Sequence, residues 1–282
     1  MISGTGAFAR GAPAEYEAVA PLADKPPVLA VRDLSVVYQT KRGPVGALDE
    51  LNLAIRPGEF VSVVGPSGCG KSTFLNIAAG LVKPTQGVVE VNGAPVSGPR
   101  RNIGVVFQKP NLFPWKTVLS NATINARVLG MDPTAYVQRA QDLLRIVGLE
   151  SFMRNYPWEL SGGMQQRVGL VRALVPDPEI LLMDEPFAAL DAMTREQMSA
   201  ELQRLWLGSR KSVIFITHSI SEAVFLSDRI LVMSARPGRI VDEMIINITR
   251  PRGLQTMATP EFAELCDRLR RRFASPAAAT SS

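Results

Sequence analysis

A chain of 282 residues, 46% hydrophobic and 20% charged, has an ordinary globular composition and room for one sizeable core with a small second lobe. Its formal charge of +5, with no dense basic block except Arg268-Leu269-Arg270-Arg271-Arg272, is weak support for nucleic acid and suits a protein beside an anionic membrane face equally well. No uncharged apolar run approaches ~18 residues, no Arg/Lys-led apolar leader marks a signal peptide, and two cysteines, Cys69 and Cys266, point to a reduced, cytoplasmic compartment rather than a disulfide framework.

Residues 1–27 are rich in Ala, Gly and Pro and read as a disordered lead. Residues 28–38 roughly alternate and suggest a strand, and 51–55 suggest a second. Pro57-Gly58 turns the chain into Phe60-Val61-Ser62-Val63-Val64, a short apolar run with β-branched residues that reads as a buried strand. Tyr38 has two readings, a half-buried strand aromatic or a flat platform for a base, where stacking is worth ~1–3 kcal/mol.

The buried strand delivers Gly65-Pro66-Ser67-Gly68-Cys69-Gly70-Lys71-Ser72-Thr73, which fits the phosphate-loop pattern G-x-x-x-x-G-K-[ST]. Three glycines let consecutive backbone N–H groups curl around an anion without Cβ clashes. The helix expected from Phe74 points its N-terminal dipole and unpaired donors at the same place. Lys71 supplies a charge to β- and γ-phosphates, and the Ser72 hydroxyl can ligate Mg²⁺. A Gly-rich strand-to-helix turn without a ligand is the alternative. The flanking strand and helix favour a nucleoside triphosphate.

Residues 87–91 form a strand, with Asn92-Gly93 as a hairpin-type turn. Residues 102–108 form another, ending on Gln108 where α/β sheets bind ligands. Strand signals then stop. Residues 118–129 and 134–147 have helical spacing, with Asp132-Pro133 as a start and Gly148 as a stop, so 111–157 reads as a helical insert. Leu112-Phe113-Pro114-Trp115 opens it. Such a cluster is usually core, and an exposed version is a docking surface.

In Leu160-Ser161-Gly162-Gly163-Met164-Gln165, Ser161 is a good N-cap and two glycines leave the backbone bare, so this is a second helix start shaped for an anion. Pro176 stops that helix. Ile180-Leu181-Leu182-Met183 is a buried strand ending in Asp184-Glu185. Asp184 is placed to hold Mg²⁺ through water, and Glu185 to orient or deprotonate one. Ala189-Leu190-Asp191 leads into a helix over 194–207. A β-branched strand over 212–217 delivers His218, the only histidine in the chain. A lone histidine is more often structural. Here it shares a sheet edge with Gln108 and Asp184-Glu185, which favours function. Residues 229–233 and 239–246 pair as a hairpin across Arg236-Pro237-Gly238, and after Thr249 a polar tail carries one short helix over 260–273.

Over about residues 28–248 these features resemble the ATP-binding subunit of an ABC transporter. Walker A matches at 65–73, the signature at 160–165 with Met164 where the family pattern varies, and Walker B at 180–184. The resemblance implies a P-loop NTPase (RecA-like) α/β core with an antiparallel β subdomain, an α-helical subdomain at about 112–160, and a short tail at 249–282. It implies Glu185 as catalytic glutamate, His218 as switch histidine, Gln108 as the Q-loop, Asp191 as the D-loop coupling residue and Tyr38 as the adenine-stacking aromatic. ATP and Mg²⁺ are the implied cofactors, with Ser72, Gln108 and Asp184 toward the metal. The resemblance further implies that two copies pair head to tail, the signature of one closing on the γ-phosphate held by the other, and drive a membrane permease from the cytoplasmic face.

The Met183–Asp191 run with Thr194-Arg195, and the 108–115 segment, look most like importers of nitrate, sulfonate, taurine and related small molecules, served indirectly by a solute-binding protein. Tyr156-Pro157-Trp158-Glu159 departs slightly from many relatives at Trp158. No nucleic-acid partner is expected. The rival readings are a soluble ABC-type ATPase acting on ribosomes or DNA, and a plain nucleotide switch. A single phosphate loop, no long coiled coil and the presence of a signature motif weigh against them.

Overall fold

The computed structural model describes residues 25–274. The expectation for residues 1–27 lies almost wholly outside that range. Two sheets share the core. The first has strand order β2-β1-β4-β5, from β1 (Leu29–Thr40), β2 (Gly43–Ile55), β4 (Gln86–Val91) and β5 (Ala94–Pro95), all antiparallel. Asn92 and Gly93 both have positive φ, 51° and 74°, as the tight turn between β4 and β5 requires.

The second sheet has order β10-β9-β3-β8-β7-β6, from β3 (Phe60–Val64), β6 (Ile103–Val106), β7 (Ile180–Asp184), β8 (Ser212–Ile216), β9 (Arg229–Met233) and β10 (Ile240–Ile245). Its five strands β9-β3-β8-β7-β6 are parallel, and β10 pairs antiparallel with β9 as the expected terminal hairpin.

The parallel strands read as unbroken apolar runs because both faces are covered. Alternate residues serve different cores. Val61, Val63, Ile180, Leu182, Ile214, Ile216, Leu231 and Met233 pack toward the antiparallel sheet and helix α1 (Lys71–Ala78). Phe60, Val64, Leu181, Met183, Val213, Phe215, Ile230 and Val232 pack on the other face. There they meet α4 (Gly162–Leu174), α5 (Ala192–Ser209) and α6 (Ile220–Leu226). The period of two along each strand thus welds two layers to one sheet. Burying each such side chain stabilises by about 1.5–3 kcal/mol.

The insert expected after Gln108 is present as α2 (Val118–Val128) and α3 (Pro133–Ile146), packed on α4. Thr117 and Asp132 cap them, accepting from the Ser120 and Ala135 amides.

The segment after Thr249 differs from a polar tail. Arg252 is buried and donates to the Val224, Phe225 and Ser227 carbonyls at the end of α6. Arg250 stacks on Trp206, 4.3 Å from the ring centroid, and pairs with Asp228. Helix α7 (Pro260–Ala274) buries Phe262, Cys266 and Leu269. Those three lie at i, i+4 and i+7, one stripe of a helix, so the docking signal sits inside a charged sequence. Burial pushes the Arg252 guanidinium down to about 9, which still leaves it charged at neutral pH, solvated by carbonyls at a helix C-terminus.

Candidate active site

The phosphate loop joins β3 to α1. The helix begins at Lys71, inside the motif and three residues earlier than expected. Gly70 precedes it at φ 105°, and a Cβ there would stand 2.6 Å from the Ala47 carbonyl oxygen, so only glycine fits. Pro66, Ser67 and Gly68 are exposed, whereas the Cys69 side chain turns into the core. Lys71 is buried, and its Nζ donates to the Gly65 and Pro66 carbonyls at 2.8 and 2.9 Å. Carbonyls solvate an ammonium without neutralising it, so the loop keeps a positive charge suited to phosphate.

The Tyr38 ring is 42% exposed and its hydroxyl donates to Thr73 Oγ1 at 3.4 Å, which sets an open aromatic face beside the first turn of α1. Arg236, read in the sequence only as part of a turn, donates from Nε to the Gly68 carbonyl at 2.6 Å. At Gly238 a Cβ would lie 2.1 Å from the Cys69 carbonyl oxygen, so the β9–β10 turn braces the loop from outside.

Three adjacent strands bring the remaining groups to this edge. At the end of β7, the Ser72 hydroxyl donates to Asp184 Oδ1 at 3.1 Å. Burial pushes the Asp184 carboxyl up, with the Ser72 hydrogen bond pulling the other way. Glu185 follows with φ 44°, a left-handed conformation that costs a non-glycine residue on the order of 1–3 kcal/mol. Its amide donates to the Ile216 carbonyl at 2.9 Å, which holds the bend against β8. The bend turns the carboxylate to 3.3 Å from His218 Nδ1 and 3.4 Å from Gln108 Nε2. Strand β6 ends at Val106, so Gln108 reaches the site from the loop beyond the strand rather than from its last residue. Gln108, Glu185 and His218 nevertheless meet, as their places at strand ends predict.

That loop is gripped by polar side chains the sequence reading passed over. Gln166 Nε2 donates to the Phe107 carbonyl at 3.3 Å. Arg172 donates to the Pro110 and Asn111 carbonyls at 2.6 and 3.0 Å. Asn121 accepts from the Phe113 amide at 2.7 Å and donates to the Phe113 carbonyl at 3.1 Å. All three grip from helices and all three are buried. A polar residue on an otherwise apolar helix face was the available signal.

The signature segment stands elsewhere. Ser161 Oγ accepts from the Met164 amide at 3.3 Å, and Ser161 and Gly162 are exposed. Gln165 Nε2 folds back to the Pro157 and Leu160 carbonyls. Among the described residues no hydrogen bond joins Ser161, Gly162, Gly163, Met164 or Gln165 to the phosphate loop. Asp191 caps α5, accepting from the Thr194 amide at 3.0 Å, and hydrogen bonds from Thr194 hold its carboxyl below the usual range. The Leu112–Trp115 cluster divides. Leu112 packs against the core, while Phe113 and Trp115 are 37% and 69% exposed with ring centroids 5.5 Å apart. A second exposed pair, Tyr156 and Trp158, stacks at 4.7 Å, and Asn155 beside it accepts from the Val118 amide at the start of α2.

The ABC transporter family profile matches residues 48–188. An uncharacterized ABC transporter ATP-binding protein of Methanocaldococcus jannaschii is 49% identical over 234 residues, 83% of this chain and 88% of its own length. A taurine import ATP-binding protein of Jannaschia sp. is 48% identical over 216 residues, 76% of this chain and 81% of its own. Among solved structures, a dimeric bacterial ABC transporter cassette matches with a TM-score of 0.70 at 35% identity, covering 80% of this chain and all of that one. A dimeric post-hydrolysis state bound to ADP and Pi matches at 0.69 and 35%, with the same coverage. With a phosphate loop, an acid-tipped strand and a histidine strand end assembled on this sheet, the chain belongs to the ABC transporter family as one of its ATP-hydrolysing, ATP-binding cassettes.

Proposed function

We propose that the chain is the ATPase subunit of an importer for a small solute of the nitrate, sulfonate or taurine kind, working as a head-to-tail homodimer beneath a membrane permease. The observation that carries the catalytic half is the meeting of Glu185 with His218 and Gln108 beside Lys71 and the Ser72–Asp184 pair.

Backbone amides of the 67–73 stretch and the Lys71 ammonium bind the phosphates, and Tyr38 stacks on the adenine. Ser72 and Asp184 offer two adjacent hard oxygens, which suits Mg²⁺, an ion that takes few protein ligands and completes its shell with phosphate and water. Held by Ser72 and Asp184, such an ion would neutralise charge on the transferring phosphoryl group. Gln108, whose Nε2 is 3.4 Å from Glu185, would turn its amide oxygen toward the metal. Glu185 orients and deprotonates the attacking water, and His218 holds Glu185 and the γ-phosphate side of the site. The exposed start of α4 serves the nucleotide of the second copy, with Asp191 coupling the two copies. Relatives 46–48% identical to this chain are named taurine import ATP-binding proteins, which favours that solute class. No helix among the described residues is long and apolar enough to cross a membrane, so the permease, fed by a separate solute-binding protein, supplies the path.

Glu185→Gln keeps the shape and removes the base. It should retain ATP and turn over ~10²–10⁴-fold more slowly. It should also run as a dimer on gel filtration with ATP. Near-normal turnover, or a monomer at saturating ATP, overturns the reading. The solute is tested by uptake of labelled taurine, sulfonates and nitrate in cells carrying this chain with its permease. Uptake of one of them that vanishes with Lys71→Ala is expected, and uptake of none of them refutes the solute class.

A further inference from the structure

Glu222 is a buried carboxylate outside the group of residues assigned above to nucleotide and water. It lies in the first turn of α6, directly after the switch-histidine strand end. Its Oε2 accepts from the Thr217 hydroxyl at 2.6 Å, and Thr217 is the residue before His218. Thr217 Oγ1 in turn accepts from the Ser219 amide at 2.9 Å, so the same hydroxyl ties the residues on both sides of His218. The other oxygen, Oε1, faces Arg195 Nε at 3.3 Å. Arg195 sits in the first turn of α5. Its amide bonds the Asp191 carbonyl and its Nη2 donates to the Leu190 carbonyl at 2.9 Å. One side chain therefore touches the turn that carries Asp191 and the turn that carries His218.

We infer that Glu222 is a positioning residue that couples the Asp191 turn to His218, with Arg195 and Thr217 as its two arms. The inference rests on the assignment of His218 to the hydrolytic site. Arg195 Nε is buried and forms no hydrogen bond, although it lies within ion-pair distance of Glu222. A small movement of the first turn of α5 converts that ion pair into a charge-assisted hydrogen bond. Asp191 itself is exposed, so a second molecule pressing on it moves the end of this linkage. The other end fixes the backbone around His218 Nδ1, which stands 3.3 Å from Glu185. Coupling through a hydrogen-bonded chain with a looser and a tighter arrangement needs no change in the nucleotide's own contacts.

The chain's single histidine makes the test direct, because every imidazole NMR signal of the untagged protein belongs to His218. Glu222→Gln keeps an acceptor for Thr217 and loses the anion facing Arg195. The expected result is a shifted imidazole signal, kcat lower by about tenfold, and KM for ATP within about twofold of wild type. Glu222→Gln should lower kcat no further in a His218→Ala background, since both act through one group. Thr217→Val, judged by the same readouts, replaces Glu222→Gln should that variant not fold, and Thr217→Ser should restore activity. Unmoved imidazole signals with unchanged kcat overturn the inference, as does a loss that adds in full to that of His218→Ala. If His218→Ala alone turns over at the wild-type rate, the assignment of His218 fails instead.

Discussion

Two helix starts in this chain are built for anions, and they are built differently. Helix α1 begins without any side-chain cap, after a glycine at φ 105°, with a buried lysine curled over its loop. Helix α4 begins with Ser161 capping the Met164 amide, two bare glycines and no cation in its motif. An uncapped start costs about 1 kcal/mol relative to a good cap, and a bound phosphate returns it. The α1 start is thus committed to a ligand that its own chain can hold. The α4 start is capped by its own chain, and Ser161 and Gly162 open to solvent. On the proposed head-to-tail reading, the first start would hold this chain's own nucleotide and the second would serve its partner's.

That contrast breaks most plainly at Lys71. Lys71→Ala should abolish ATP binding or lower turnover by at least about 10³-fold, because it removes the charge aimed at the phosphates. Isothermal titration with ATP and a phosphate-release assay check it, and near-normal turnover refutes the self-contained site. The α4 side should respond in a different currency. A Cβ at Gly162 meets nothing within 4 Å, so Gly162→Ala is sterically free in the isolated fold. Its Tm should hold or rise, ATP should still bind, and turnover should fall by about 10²-fold, the size expected when a remote displacement misaligns a site. Full activity in Gly162→Ala would show that the bare backbone contacts nothing.

The aromatic face is expected to matter less for hydrolysis and more for coupling. Phe113 and Trp115 stand exposed on the loop that begins at Gln108, at the entry to the helical lobe. Trp115→Ala should weaken permease association or stimulation by at least tenfold, since truncating a buried aromatic anchor costs ~2 kcal/mol or more. Basal ATPase of the isolated chain should stay near normal. Transport at the wild-type rate, or unfolding of the variant, defeats the docking assignment.

Much of this was legible in the sequence where the chemistry is local. The phosphate loop, the acid pair Asp184-Glu185 at the end of β7 and the histidine after β8 each close a short apolar run, and the runs predicted both the strands and their shared edge. The pairing of exposed Ser161 with two glycines was likewise local. Less legible were contacts in which a side chain meets a backbone far away in sequence. Gln166 finds Phe107 across 59 residues and Arg236 finds Gly68 across 168, and no periodicity encodes either. The C-terminal segment was hidden for another reason. Its apolar stripe of Phe262, Cys266 and Leu269 is diluted by seven charged residues between Glu261 and Arg272, so the polar average masked the helical period.

The smallest expected effect tests how firmly the two helix starts are tied together. Gln166 lies one turn into α4, beyond the signature, and holds the Phe107 carbonyl next to Gln108. A net hydrogen bond of this kind is worth about 1 kcal/mol, or roughly fivefold. Gln166→Leu keeps the volume and removes the donor, and the Phe107 carbonyl is part-buried, so it loses a partner it cannot fully replace with water. Turnover should therefore fall two- to fivefold as the Gln108 loop loosens, with ATP affinity unchanged. The effect should vanish in a Gln108→Ala background, where the loop no longer carries the side chain that the tether places. Persistence of the full effect in that background would show that Gln166 merely stabilises α4. An unchanged turnover would show that Arg172 and Asn121 hold the loop without it.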